Sequence, residues 1–189
     1  LLIVEDDIFA DFETAPSPRL AVMDGLARVI RVGSFSKTLS ASLRCGYVAG
    51  RKELIDGLVD MQVATSFGGP SPVATEMIAM ILEGGGYRRH MQEVRRRLER
   101  SRKMVLGRLD ALGIHPWIVP KGGFYLWCRL PDGQDSTDIA LKSMADRIIH
   151  APGNVFSASR SAASFMRFNV THCADERVFR SLARIMALS

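Results

Sequence analysis

The stretch Ser34-Phe35-Ser36-Lys37-Thr38-Leu39-Ser40-Ala41-Ser42-Leu43-Arg44-Cys45-Gly46-Tyr47 sits in the first quarter of a 189-residue chain. The alternating run before it, Arg28 to Gly33, reads as a strand. Lys37 is thereby delivered just past a strand's carboxyl end, where ligands of open α/β sheets collect. Hydroxyls at Ser34 and Ser36 and the cation of Arg44 suit a phosphate: hydroxyls donate hydrogen bonds, and a planar guanidinium can grip two oxygens at once. A lysine beside such a site can be desolvated enough to act as an amine nucleophile. Taken alone, a serine–lysine pair is weak, since most such pairs are exposed loop residues.

Upstream, Leu1 to Glu5 is a short apolar run ending in acids, the pattern of a buried parallel strand. Its end, Glu5-Asp6-Asp7, has three readings. It is a solvated strand end, a hard-cation site, or the source of a carboxylate for a protonated heteroaromatic nitrogen. The third gains from the lysine one strand away, because a pyridoxal-type cofactor needs both groups. Downstream, Cys45 to Gly50 forms a third strand. Only about ten residues separate it from the second, too few for a parallel crossover, so it is expected antiparallel at the sheet edge.

Further along, helical periodicity predicts helices over Arg51–Thr65 and Ser71–Leu82, with a break at Ser66-Phe67-Gly68-Gly69-Pro70. Gly84-Gly85-Gly86 is a stop, and a long helix follows from about Tyr87 to Leu112. Its segment Arg88–Lys103 carries eight basic and two acidic side chains. Met91, Val94 and Leu98 remain as an apolar stripe, so this reads as a solvated amphipathic helix in preference to a nucleic-acid face. After Gly113 come strands at Trp117–Val119 and Phe124–Leu130, a helix over Thr137–Ile149, a strand over Phe165–Thr171 and a helix from Asp175 to about Ala187. The expected organisation is a partial α/β domain over 1–86 and a smaller α+β domain over 87–189.

Bulk properties exclude several classes. With 47% hydrophobic and 24% charged residues the chain is an ordinary globular one. Its longest apolar run, Met77 to Leu82, is too short to cross a bilayer. Cys45, Cys128 and Cys173 are widely spaced, as suits a reducing, cytoplasmic compartment without disulfides. The four histidines lie far apart with no zinc-type spacing, so no metal site is expected. Neither a dinucleotide fingerprint nor a P-loop is present. The chain opens without Met, inside what reads as a strand, and is expected to be the later part of a larger protein.

Read together, Val4-Glu5-Asp6-Asp7-Ile8-Phe9-Ala10-Asp11-Phe12, the Ser34–Tyr47 stretch, Pro120-Lys121-Gly122-Gly123-Phe124-Tyr125-Leu126-Trp127 and Phe165-Met166-Arg167-Phe168 resemble the class I/II aminotransferases. These are fold-type I enzymes dependent on pyridoxal 5′-phosphate (PLP). The match is nearest the MocR-type branch, in which such a domain follows a GntR-type DNA-binding domain. The resemblance implies the carboxy-terminal half of a PLP-dependent transferase fold. It implies Lys37 as the Schiff-base lysine and proton shuttle, Asp6 on the pyridine nitrogen, and Ser34, Arg44 and, as a helper, Ser36 on the phosphate. Arg167 would clamp the substrate α-carboxylate.

The activity it implies is transamination of an α-amino acid to a 2-oxo acid. The alternative is an effector-sensing domain of a transcription regulator. Implied partners are an amino-acid or amino-compound ligand, a second copy in a homodimer, and DNA only through an upstream domain. Two positions depart from the family. Phe9 stands where a tyrosine often donates to the cofactor's phenolate oxygen, and Ala41-Ser42 replaces Pro-Gly. The Gly122-Gly123 pair is expected to permit close backbone approach.

Overall fold

Strand β1 (Ile3–Asp6) pairs in parallel with β2 (Val29–Ser34), and β3 (Gly46–Ala49) adds to the other side of β2 in antiparallel fashion. The sheet order is β1-β2-β3, with the third strand at the edge as its short connection requires. The computed structural model describes residues 1–66, 68–173 and 175–187. The chain divides into two compact units, Leu1–Arg95 and Arg96–Ser189, and the division falls inside one long helix.

In the first unit a short helix, α1 (Leu20–Asp24), lies between β1 and β2 and ends on Gly25 in the left-handed region. Five residues are too few for a periodic signal, which is why the sequence pattern misses it. Helices α2 (Lys52–Ser66) and α3 (Pro72–Glu83) follow, within a residue of the expected ranges. Pro72 opens α3 with φ already set for a helix. In the expected break between them, Phe67 lies outside the described residues. No residue of α2 is fully buried: Leu54 and Ile55 of its apolar stripe are half-buried, while Leu58, Val59 and Met61 are exposed. The core of this unit gathers Phe12, Ala21, Val29, Ile78 and Met91.

Helix α4 (Gly86–Asp110) carries the basic segment. Met91 and Leu98 are buried and Val94 is half-buried, while most of the basic side chains remain outside, as the stripe predicts. In the second unit β4 (His115–Pro116), β5 (Tyr125–Arg129), β6 (Ala151–Pro152) and β7 (Phe165–Asn169) form an antiparallel sheet of order β4-β5-β7-β6. Alternation puts Leu126, Cys128, Met166 and Phe168 on the buried face. With them are buried Val105 and Leu109 of α4, Ile139 of α5 (Ser136–Ser143), and Leu182 and Ile185 of α6 (Glu176–Met186). Asp135 and Asp175 cap α5 and α6 by accepting from first-turn N–H groups. The three cysteines are buried and free. No helix among the described residues is long and apolar enough to cross a membrane.

Two expectations need correction. The apolar run Trp117–Val119 is not a strand. The ladder runs through His115–Pro116, ends with Trp117 N–H on the Trp127 carbonyl, and leaves Trp117, Ile118 and Val119 exposed. The helix expected over Thr137–Ile149 stops at Ser143. A single tighter turn at Met144–Asp146 follows, and Arg147 adopts φ 59°. The Ser143 hydroxyl donates back to the Ile139 carbonyl at 2.8 Å, and Ile148 N–H closes onto the Ser143 carbonyl. The second, closing over the left-handed Arg147, is a bond that ends a helix.

Because Leu182 is fully buried, Leu182→Ala should cost about 2–5 kcal/mol, the range for deleting a core leucine. Urea denaturation followed by the fluorescence of Trp117 and Trp127 tests this, since both tryptophans lie in the second unit. A loss below about 1 kcal/mol would mean that the site collapses onto the cavity.

Candidate functional site

The three acids at the end of β1 go three ways. Glu5 accepts the backbone N–H groups of Leu20 at 2.8 Å and Ala21 at 3.1 Å, so it caps α1. Burial works against its charge, yet these bonds and the nearby Arg19 and Arg31 hold its pKa below the usual carboxylate value. Asp7 forms ion pairs with Arg19 at 2.9 Å and Arg31 at 2.7 Å, and its side chain is 9% exposed. Asp6 makes no ion pair among the described residues; it is exposed and accepts only Ile8 N–H at 3.2 Å. Strand alternation explains the split, since neighbours on a strand face opposite ways. Asp6 is the register partner of Val32, so it shares a sheet face with Val32 and with Ser34 two residues on.

Lys37 lies in the turn that leaves β2. Ser34 Oγ accepts Ser36 N–H at 3.1 Å, and Leu39 N–H donates to the Phe35 carbonyl at 2.9 Å. The residues flanking Lys37 are anchored. Phe35 N–H bonds the Cys45 carbonyl, and its ring lies 5.8 Å from Tyr47 and 6.0 Å from Tyr87. Thr38 is buried, and its carbonyl is 2.8 Å from His90 Nε2. Lys37 alone in this turn is exposed, with no ion-pair partner among the described residues. Close backbone approach occurs at Gly46, where an added Cβ would meet the Gly33 carbonyl oxygen at 2.7 Å. Ser34 is the register partner of Gly46, two residues after Arg44. Arg44 is exposed, at φ 46°, and borders an open cavity of about 600 Å³ with Ser42, Gly69 and Ser71.

In the second unit Arg167 lies at the centre of β7. Its guanidinium carbon is 4.3 Å from the Tyr125 ring centre and 4.4 Å from that of Phe156. Two aromatic contacts desolvate and steady the cation while leaving N–H groups at its edge for a carboxylate. No carboxylate among the described residues pairs with it. Trp127 stacks on Phe165 at 5.4 Å, completing an aromatic surface on this side of the sheet. Arg167 also lines a cavity of about 310 Å³ with Tyr125, His150, Asn169 and His172. Sequence reading missed Tyr125, Phe156 and His150. Strand alternation would have placed Tyr125 on one face, but only the register Trp127↔Arg167 shows that this face is the one holding Arg167. At Gly123 the expectation of close approach is corrected. An added Cβ would meet nothing within 4 Å, and what the turn needs from glycine is φ +75°.

Burial drives the His150 pKa down to about 4, and its Nε2 has no hydrogen-bond partner among the described residues. The folded protein thus holds this imidazole neutral while the unfolded chain takes up a proton below about pH 6.5. Stability should be fully present above that pH and fall by up to ~3 kcal/mol as the pH drops towards 4. His150→Leu should remove this part of the pH dependence. Unfolding free energies of both proteins at about pH 7 and pH 4.5 check it; equal slopes would refute it.

Residues 1–185 match the model of the aminotransferase class I and II family, and the chain belongs to that family. Among curated relatives, it is 28% identical over 181 residues to an uncharacterised HTH-type transcriptional regulator, YdfD of Bacillus subtilis, covering 93% of this chain and 37% of the relative. It is 27% identical over 188 residues to the HTH-type transcriptional regulator NorG of Staphylococcus aureus, covering 97% and 41%. Among solved structures, LysN of Thermus thermophilus, an α-aminoadipate aminotransferase complexed with N-(5′-phosphopyridoxyl)-L-leucine, superimposes with a TM-score of 0.80 at 26% identity, covering all of this chain and 52% of LysN. The chain thus spans about two fifths of these regulators and about half of the enzyme. The α/β architecture is part of the PLP-dependent aminotransferase fold, as the resemblance implied.

Proposed function

We propose that this chain is a PLP-binding aminotransferase-type domain that converts an α-amino acid to a 2-oxo acid through Lys37. The observation that carries this reading is the sorting of the three carboxylates. Glu5 and Asp7 are engaged in holding the fold, and Asp6 is left without an ion-pair partner among the described residues, on the sheet face of Ser34, one strand from the Lys37 turn. A cationic heterocycle held covalently by a lysine needs that arrangement, so the residues fit the group.

When bound, PLP supplies an electron sink for the pair left at the substrate α-carbon. Lys37 Nζ would hold the cofactor's aldehyde carbon and, once displaced by substrate, carry the proton to and from the α-carbon. The Asp6 carboxylate would keep the pyridine nitrogen protonated. Ser34 and Arg44 would bind the phosphate, with Ser36 assisting, and Arg167 would take the substrate α-carboxylate at its open edge. The domain would work in a cytoplasmic homodimer. Incubating the PLP-loaded whole protein with a panel of amino acids, and assaying 2-oxo acid and pyridoxamine phosphate, tests the reading. Formation of neither by any amino acid sinks the enzyme reading.

A second reading is favoured by YdfD and NorG, which are HTH-type regulators, and by Phe9, which has no donor to offer the cofactor's phenolate oxygen. Here the same residues hold PLP to sense an amino compound, and DNA is bound by an upstream domain. Specific DNA binding by the whole protein that changes with the amino compound, without turnover, would select it.

A further inference from the structure

Arg102 is the buried cation that the roles above leave unused. It lies on α4 with 8% of its surface exposed, and burial lowers its pKa against a partly compensating field from Glu99. Its Nη2 donates to the Gly123 carbonyl at 2.6 Å, and its Nε has no partner among the described residues. Packing alone does not call for a charge here. A methionine would fill the same helix face without the desolvation penalty of a guanidinium. What arginine adds is a strong donor aimed at one carbonyl, 21 residues away.

That carbonyl belongs to a turn with a purpose. Gly123 adopts φ +75°, the neighbouring Phe124 carbonyl accepts Val170 N–H at 2.9 Å, and β5 begins at Tyr125 in register with Asn169. The Tyr125 ring is one of the two that flank Arg167. A glycine turn has many competing conformations, so a fixed carbonyl narrows where β5 starts and where that ring stands.

We propose that Arg102 is a positioning residue for the carboxylate-binding edge of Arg167, acting through Gly123 and Tyr125. The inference rests on the reading of Arg167 as a carboxylate clamp. The test compares two probes in the whole protein: N-(5′-phosphopyridoxyl)-L-leucine and the corresponding phosphopyridoxyl amine without the carboxylate. The ratio of their dissociation constants isolates carboxylate recognition from cofactor affinity. In Arg102→Met the ratio should fall roughly tenfold or more, as for a displaced contact of this kind, while the affinity for the amine probe stays within about twofold. Arg102→Lys should restore part of it, and Gly123→Ala should reproduce the loss.

A purely structural role would lower the melting temperature of Arg102→Met and leave the ratio unchanged, which overturns the proposal. Should Arg102→Met not fold, the ratio in Gly123→Ala decides in the same way. Arg167→Leu separates the two levels. If it leaves the ratio intact, the clamp itself is wrong and the proposal falls with it. If it collapses the ratio and Arg102→Met does not, only the proposal is lost.

Discussion

Lys37→Ala should abolish covalent retention of PLP, while the unaltered protein, reduced with borohydride and digested, should carry its label on the peptide containing Lys37. The chain has five lysines: Lys37, Lys52, Lys103, Lys121 and Lys142. Any exposed amine reacts slowly with a free aldehyde. Lys52 and Lys142 are held in ion pairs, to Asp56 at 2.6 Å and Asp138 at 2.7 Å. On the proposed reading the reaction at Lys37 becomes intramolecular, because Ser34 and Arg44 would hold the phosphate and Asp6 the ring nitrogen. Well-oriented intramolecular reactions carry effective concentrations far above any added aldehyde, so labelling there should exceed any other lysine by at least about a hundredfold. The backbone around Lys37 is tied through Phe35 and Thr38 and does not depend on its side chain, so Lys37→Ala should fold normally. Label on another lysine, or none in the whole protein, ends the assignment.

Asp6→Ala and Asp7→Ala should fail in opposite ways. Asp7 bridges Arg19 and Arg31 with a side chain 9% exposed, and these arginines are themselves 15% and 30% exposed. Removing one partner of a buried pair leaves charge uncompensated. With part of the arginines still wetted, Asp7→Ala should cost about 2–4 kcal/mol of stability. Asp6 has no such partner among the described residues, so Asp6→Ala should stay within about 0.5 kcal/mol of the unaltered protein. Its effect should fall on chemistry. Borohydride should still label Lys37, while exchange of the substrate α-proton should slow by at least about a hundredfold, the scale of losing a preorganised charge. Denaturation curves, label mapping and deuterium exchange together decide it. A destabilised Asp6→Ala protein beside a stable, inactive Asp7→Ala protein would mean that the register at the end of β1 is misassigned.

These two predictions show where the sequence is a good guide. Lys37 and its neighbours could be read directly because a strand, its exit turn and the serines around it are local: period-two alternation and turn chemistry act over a few residues. The same holds for α2, α3 and most of α4, whose periodicity spans several turns, and for the edge position of β3, set by the length of one connection. The family motif adds the order of the pieces. Where local signals are short or conflicting, the reading fails. The five residues of α1 are too few for a period. Trp117–Val119 has strand composition without a strand partner. Ile148 and Ile149 extend an apolar pattern past the point where Arg147 turns left-handed.

By itself, then, the sequence determined the α/β class, the longer helices α2, α3 and α4, and the identity and spacing of the lysine, its hydroxyls and the candidate carboxylates. Which carboxylate is free was decided by Arg19 and Arg31, brought to Asp7 from 12 and 24 residues away while Glu5 was spent on α1. How Arg167 is held was decided by β5 lying in register beside β7 and by the Phe156 turn folding over it. Such choices depend on which distant segments share a sheet face or an ion pair. Strand register and side-chain packing are set by the whole core at once and leave no mark within a short window of sequence.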